Sequence, residues 1–567
     1  MESEMSFMSP LKLYMTILFV AICDCEAHVM SPYRSVGVAP ERDAMPTVRK
    51  PDISKAAIVE GDIVLGGLFP IHTEKTDRLD EDQCGSLDVE RGIHRLEAML
   101  YAIQQVNKNH TLLPNITLGA QARDTCNVDS IALEESLHFI ADSLNEQRKP
   151  FGCSRSEENE CNQSHFIAGV IGAASSAVSI QVAHLLRLFK LPQISYASTS
   201  PDLSNKAKYK YFLRTVPSDS NQAKAMVDIV KALNWTSVFT VYSEGNYGRS
   251  GINTFFKLAS AANICVVDSW LVYSDTGAHT FDEKLRGFMR EKNTRGVVVF
   301  CTDNDARKLL DSARRVKAVK RFIWLASDYW GTRLKPVQGL EEVAEGAITI
   351  SPRSVTKCQD FEAYFKNLDP RTHTINPWFK EYWSRIFNCS FRINSSIPCE
   401  PDRFNLRNSP LNIDDKVPFV IDAVFAFVHA LEKIYKAKCP KQDGVCKAMT
   451  IKRGENLLAA LTNLSFQGVT GEVTFDKNGD VLGMYDVFRF INGKYTKRVA
   501  SWRGGRLQDY ANLYDGEVPE SFCGKKCKLG SYKLGVKPSC CWECIPCGRN
   551  KYVQGERKPI KSTVPNY

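Results

Sequence analysis

From Gly61 to beyond Phe490 the chain alternates apolar, strand-like runs with runs of helical period. Asp62-Ile-Val-Leu-Gly-Gly-Leu-Phe69 reads as a buried strand. Arg91 to Val106 carries apolar residues at Ile93, Leu96, Met99, Leu100, Ile103 and Val106, the spacing of one helix face. Ile116 to Leu118, Phe166 to Gly172, Gln193 to Ala197, Ser237 to Tyr242, Gly296 to Cys301 and Phe322 to Ala326 read as further strands. Ile131 to Leu144, Val178 to Phe189 and Gln222 to Leu233 read as helices. This order predicts an α/β protein with parallel sheets covered on both faces. So many strands exceed one sheet of ordinary size, so two α/β lobes are expected. Gly471 to Phe490 alternates around a hairpin-like turn at Asp476-Lys-Asn-Gly-Asp480.

Open sheets of this kind bind ligands beyond the carboxyl ends of their strands. Ser176, Thr199, Asp219, Tyr247 and Asp328 each follow a strand-like run. Two distant segments, Arg91-Gly-Ile-His-Arg-Leu-Glu-Ala-Met99 and Asp415-Lys-Val-Pro-Phe-Val-Ile-Asp-Ala423, place cations at the start of apolar helical runs. Arg91 and Arg95 are one turn apart and share a helix face. Together these positions suit a zwitterion with an additional carboxylate. Each residue also has a plainer reading. Arg95 alone would be a solvated helix charge, Ser176 an N-cap, and Asp219 a turn residue in Pro217-Ser-Asp219.

Composition narrows the class. The 567 residues carry a formal charge of +9 with the basic residues dispersed, which speaks against a nucleic-acid partner. There is no GxSxG, HExxH or phosphate-loop arrangement, so neither catalysis nor a cofactor or metal is expected. Nineteen cysteines, six of them between Cys523 and Cys547, point to disulfides in an oxidising compartment or to zinc in a reducing one. The oxidising reading is favoured by Lys12 followed by the apolar run Leu13 to Cys23, a secretory signal pattern. It is also favoured by glycosylation sequons at Asn109, Asn115, Asn162, Asn234, Asn388, Asn394 and Asn463. After the leader no apolar run of membrane-spanning length occurs.

Several ordered segments resemble one family. They are Gly92-Ile-His-Arg-Leu-Glu-Ala-Met-Leu100, Gly169-Val-Ile-Gly-Ala-Ala-Ser-Ser-Ala-Val178, Leu191-Pro-Gln-Ile-Ser-Tyr-Ala-Ser-Thr-Ser200, Glu244-Gly-Asn-Tyr-Gly248, Ser327-Asp-Tyr-Trp330, Asn376-Pro-Trp-Phe379 and Cys540-Cys-Trp-Glu-Cys544. From Gly61 to about Gln554 the chain resembles the extracellular part of the metabotropic glutamate receptors, class C G-protein-coupled receptors. The resemblance implies a two-lobed clamshell (periplasmic-binding-protein-like, a Venus flytrap) followed by a small disulfide-rich module. It implies L-glutamate as ligand, a homodimer formed through the first lobe, and G-protein coupling through a membrane domain that this sequence does not contain. The boundaries expected are a signal peptide at 1–27, a loose segment at 28–57, a ligand-binding domain at 58–515 and a cysteine-rich module at 516–567. Within the domain, the first lobe takes roughly 58–213 and 345–480, and the second roughly 214–344 and 481–515.

By the same resemblance Arg91, Arg95 and Lys416 serve the distal carboxylate, joined by Arg333, which matches an arginine found in part of the family. Ser176 and Thr199 hold the α-carboxylate, and Ala197 offers its carbonyl to the amino group. Asp219 and Asp328 face the ammonium with Tyr247 against it. The implied disulfides are Cys84–Cys126, Cys265–Cys540, Cys389–Cys399, Cys439–Cys446, Cys523–Cys541 and Cys527–Cys544. Cys153 and Cys161 lie where the family has one inter-subunit cysteine; either serves, or the two pair with each other. Cys301 and Cys358 are expected free. The tail after Gln554 departs from the family and leaves Cys547 without its expected partner. A soluble secreted or dominant-negative isoform, or a receptor for another amino acid, are the alternative functions.

Overall fold

The computed structural model describes residues 55–561 except 76–83, 110, 147–165, 354–357, 393–394, 396, 410, 440–443, 451–452, 515, 525–526, 537–539, 548–550 and 553–559. The signal-peptide reading, most of the 28–57 segment, Cys153, Cys161, Asn162 and Asn394 lie outside the described residues.

Two sheets carry the fold. In the first, the strands run in the spatial order Ala56–Val59, Leu118–Asp124, Ile63–Phe69, Phe166–Ile171, Gln193–Ser195 and Phe212–Arg214. All are parallel except the edge strand Ala56–Val59. Ile63–Phe69 is buried along its whole length, as a central parallel strand must be when helices cover both faces. One face packs on the helices Gly92–Lys108 and Val417–Lys438, and the other on Asp129–Glu146 and Ser176–Leu188.

The second sheet runs Cys265–Val272, Ser237–Ser243, Gly296–Phe300, Ile323–Ala326 and Ile348–Pro352 in parallel. It is extended antiparallel by Met484–Ile491, Ala500–Arg503 and Arg506–Gln508. Its faces are filled by apolar residues of Asp219–Ala232 and Gly245–Ala261 on one side, and of Ala278–Arg290 and Asp303–Arg315 on the other. The chain passes between the lobes three times: between 214 and 219, between 352 and 359, and between 480 and 484.

Some expectations shift. The return to the first lobe comes after Pro352, not at 345, because Ile348–Pro352 pairs with Ile323–Ala326 and Met484–Ile491 in the second sheet. The first lobe begins at Ala56 rather than 58, since Ala56–Val59 is its edge strand. The strand expected at Ile116 to Leu118 is Leu118–Asp124. Its sequence, Leu-Gly-Ala-Gln-Ala-Arg-Asp, has no β-branched residue, and its central place between two strands imposes the extended form. The turn at 476–480 forms, but its arms diverge. Gly471–Thr474 pairs back with Ser465–Gly468, while Met484–Ile491 joins the other lobe.

Among the described residues six disulfides are present: Cys84–Cys126, Cys265–Cys540, Cys389–Cys399, Cys439–Cys446, Cys523–Cys541 and Cys527–Cys544. Cys301, Cys358 and Cys547 are free. The last segment forms a hairpin of Ser531–Val536 with Cys541–Pro546. Ser521 holds it to the second sheet: its Oγ accepts from the amides of Arg295 and Gly296 at 3.0 Å and donates to the Ser237 carbonyl at 2.7 Å. Cys541 is buried in the second-lobe core. Asn109, Asn115, Asn234, Asn388 and Asn463 are exposed. No helix among the described residues is long and apolar enough to cross a membrane.

Cys265–Cys540 is the covalent tie between lobe and hairpin, with a separation of 275 residues. Cys540→Ser is expected to make residues 524–547 protease-sensitive and to lower stability by about 2–4 kcal/mol. Unchanged proteolysis would show that the packing of Cys541 and the Ser521 bonds suffice.

Candidate ligand-binding site

The carboxyl ends of the first-lobe strands face those of the second across a cleft of about 1360 Å³. Its first-lobe wall begins with a glycine. A Cβ on Gly92 would stand 2.2 Å from the Pro70 carbonyl oxygen and 2.6 Å from the Ile71 Cα. Only glycine lets the helix Gly92–Lys108 start against the end of the strand Ile63–Phe69. That start places Arg91 and Arg95 on the cleft.

Four cations of the cleft, Arg91, Arg95, Arg333 and Lys416, are matched by acids. Buried Arg95 donates through Nε to Asp414, and its guanidinium lies 5.6 Å from the Tyr196 ring centre. Arg91 pairs with Asp303, which Lys335 also approaches at 3.4 Å. Arg333 meets Asp415 at 3.1 Å. Lys416 lies 3.2 Å from Asp328 and 3.5 Å from Asp415. Tyr329 takes both Arg91 and Arg333 on its ring, at 5.6 and 5.5 Å. Desolvation opposes the charge on Asp415, but Lys416 and Arg333 hold its carboxyl well below the usual range. On Asp414 desolvation prevails over the Arg95 charge and moves the carboxyl upward. Three of these pairs, Arg91–Asp303, Lys416–Asp328 and Arg333–Asp415, run between the lobes.

Beyond the cations the cleft turns polar and uncharged. Ser175, not Ser176, caps the helix Ser176–Leu188, its Oγ accepting from the Val178 amide at 3.3 Å. The Ser176 hydroxyl instead accepts from the Ser200 amide at 3.1 Å. This bond fixes the turn that carries Ala197 and Thr199 into the cleft. The N-cap reading of Ser176 is therefore off by one residue.

The remaining wall is acidic. Asp219 opens the helix Asp219–Ala232, and its amide donates to the Thr199 carbonyl at 2.8 Å. Gln222, one turn on, donates through Nε2 to Asp219 and, at 3.1 Å, to Asp328 Oδ1. Its Oε1 accepts from the Asp328 amide at 2.7 Å. The Tyr247 hydroxyl donates toward Asp328 Oδ1 at 3.0 Å and lies 2.7 Å from Ser327 Oγ. The second oxygen of Asp219 is buried with no hydrogen-bond partner among the described residues. Burial, with the neighbouring Asp328 charge, pushes the Asp219 carboxyl up to about 8.

Seven of the ten expected residues, Arg91, Arg95, Ala197, Thr199, Asp328, Arg333 and Lys416, line the cleft. Ser176, Asp219 and Tyr247 stand behind it, bonded to the turn at Ser200 or to residues that share Gln222. Sequence reading missed Gln222, Asp303, Tyr329, Asp414 and Lys335. Asp414 adjoined a segment already singled out. Asp303 stood at a helix start just beyond the run Gly296 to Cys301, and a search for acids at strand ends would have found it.

With the site in view, its kinship can be stated. The family described as receptor family ligand binding region matches residues 94–493. The chain belongs to this family. It is 40% identical over 511 residues to metabotropic glutamate receptor 4 of Macaca fascicularis, 87% of this chain and 56% of that receptor. It is likewise 40% identical to metabotropic glutamate receptor 8 of Rattus norvegicus over 514 residues and of Homo sapiens over 513, in each case 88% of this chain and 56% of the relative. The chain thus spans somewhat over half the length of these relatives. The two sheets, their crossings and the C-terminal disulfides form the two-lobed architecture with a disulfide-rich module that the resemblance implied.

Asp219 gives a pH signature. Its carboxyl titrates higher in the fold than in an unfolded chain, so the folded state holds the extra proton between about pH 4 and pH 8. Stability from this group is complete below that window and is lost as pH rises through it. Asp219→Asn, which mimics the protonated form, is expected to raise the melting temperature by an amount that grows from pH 5 to pH 8 and then levels. A difference independent of pH would mean that Asp219 is ionised throughout.

Proposed function

We propose that the chain is a ligand-binding ectodomain that closes on L-glutamate, and that in a full-length receptor this closure is passed to a membrane domain and a G protein. One observation carries the reading: a single cleft holds a cluster of cations and, next to the Thr199 turn, an acidic pair, Asp328 on the wall and Asp219 just behind it. Those charges match a molecule with an ammonium at one end and a carboxylate at the other. Burial and Asp328 favour the protonated form of Asp219, and an ammonium placed beside it would favour the charged form instead. The arginines suit a carboxylate through forked hydrogen bonds. The names of the relatives point to glutamate.

Closure follows from the distribution of contacts. Arg91, Arg95, Ser176, Ala197, Thr199 and Lys416 belong to the first lobe, and Asp219, Tyr247, Asp328 and Arg333 to the second. A ligand touching both lobes binds the closed form more tightly and shifts the population toward it. The distal carboxylate competes with Asp303 and Asp415 for the cations, replacing lobe-to-lobe pairs with pairs through the ligand.

Two further points support the extracellular, dimeric reading. The six disulfides and the exposed sequons fit the secretory pathway. On the outer face of the first lobe, Leu137, Leu188 and Phe189 are 53%, 70% and 42% exposed on adjoining helices, an apolar surface fit for a second copy.

Calorimetry with glutamate, glutamine and aspartate tests the ligand. Glutamate is expected to bind best, and glutamine, whose distal amide is neutral, at least about tenfold more weakly. Glutamine binding as well as glutamate would overturn the role of Arg91, Arg95 and Lys416. Arg95→Ala is expected to cost dicarboxylates about 2–5 kcal/mol while sparing neutral amino acids. Thr199→Ala is expected to weaken all α-amino acids alike. Equal losses for Arg95→Ala across ligands would reverse the proposed orientation.

A further inference from the structure

Two of the three lobe crossings leave from neighbouring points, and one buried ion pair joins them. Arg214 ends the strand Phe212–Arg214, just before the crossing to Asp219. Asp480 closes the turn 476–480, just before the crossing to Met484. The two residues form an isolated parallel bridge, and the Arg214 amide donates to the Gly479 carbonyl at 3.0 Å.

The Arg214 side chain has no solvent exposure. Its Nε donates to Asp480 Oδ1 at 2.7 Å, and one Nη donates to Ser204 Oγ at 2.6 Å. Ser204 in turn donates to Asp480 Oδ2 at 2.6 Å. The other Nη donates to the carbonyls of Ser198 at 3.1 Å and Ser200 at 2.9 Å. Those carbonyls flank Thr199. The Thr199 carbonyl itself accepts from the Asp219 amide at the head of the second-lobe helix. One guanidinium therefore grips the turn that presents Thr199 and ties it to both crossings.

Stability alone does not account for this arrangement. Replacing a buried ion pair by apolar residues of similar volume is often neutral or stabilising. A planar fork does what a point charge cannot, because its donors stand at fixed angles to four separate acceptors. Lys206 lies close by, donating to the Phe212 carbonyl, and burial lowers its ammonium to about 8. It is therefore poorly suited to substitute for the guanidinium.

We propose that Arg214 is a positioning residue: held by Asp480, it fixes the Thr199 turn relative to the axis about which the lobes rotate, and so sets the affinity for the α-carboxylate end of the ligand. This rests on the amino-acid reading above. Its consequence is that loss of the fork weakens head-group binding without changing discrimination at the distal end.

The test compares the full chain with Arg214→Lys, which keeps the charge, and with Asp480→Asn, which keeps the shape. Two readouts are needed: hydrogen exchange of the Ser200 and Asp219 amides without ligand, and calorimetric Kd for L-glutamate and L-aspartate. Arg214→Lys is expected to speed exchange selectively at these two amides. It should raise both Kd values roughly 10–100-fold, the range of a lost positioning contact, with the glutamate-to-aspartate ratio and the binding stoichiometry of folded protein unchanged. Asp480→Asn should act in the same direction by a smaller factor, and decides the matter if Arg214→Lys does not fold. A purely structural role would lower the melting temperature and speed exchange across the whole lobe while leaving Kd unmoved, and that result overturns the proposal. A change in the glutamate-to-aspartate ratio overturns it as well. If the unaltered chain bound no amino acid, the glutamate reading would fall, while the exchange arm would still decide whether Arg214 holds the turn.

Discussion

Charges withdrawn from water have to be matched, and this protein does the matching where its two lobes meet. Arg91, Arg95, Arg333 and Lys416 stand close enough to repel one another, and Asp303, Asp414, Asp415 and Asp328 hold them together. Because three of those pairs cross the cleft, the electrostatics that stabilise the walls also set the distance between lobes. On the proposed reading, an added carboxylate or ammonium makes these groups re-partner, since a charge left bare in a low-dielectric site is costly. Asp219, behind Asp328, completes the device, and its raised carboxyl is the cost of burial beside a second acid.

The remainder of the fold serves to hold these groups still. Two parallel sheets, each covered on both faces, end their strands at the cleft, so every strand-end residue is anchored by a packed core. Close approaches that only glycine permits, such as Gly92 against Pro70 and Ile71, seat the helix starts. Gly248 does the same for the helix bearing Tyr247: a Cβ there would lie 2.0 Å from the Ser243 carbonyl oxygen. Three crossings join the lobes, and two of them are bound to each other through Arg214 and Asp480.

Much of this was legible in the residues. The apolar periods of Ile63–Phe69 and of the helix starting at Gly92 state their burial directly. Polar residues just past apolar runs marked the cleft, because burial inside the sheet forbids them and the strand end admits them. The strand Leu118–Asp124 was half hidden, since glycine and alanine carry little strand preference and only its neighbours enforce the pairing. Gln222 was invisible for a similar reason: on a helix it looks like any polar surface residue, and its value lies in reaching Asp219 and Asp328 together.

What the sequence determined by itself was the local and the covalent: which segments are strands or helices, which cysteines are available, and which cations and acids sit at element ends. Those properties depend on neighbours within a few residues. What only the tertiary structure decided was partnership. Arg91 finds Asp303 at 212 positions' separation, Arg95 finds Asp414 at 319 and Arg214 finds Asp480 at 266. No periodicity encodes such pairs. They follow from the order of strands in two sheets and from the three crossings, and the same order set the boundary between lobes after Pro352, where strand pairing rather than local pattern assigns Ile348–Pro352 to the second sheet.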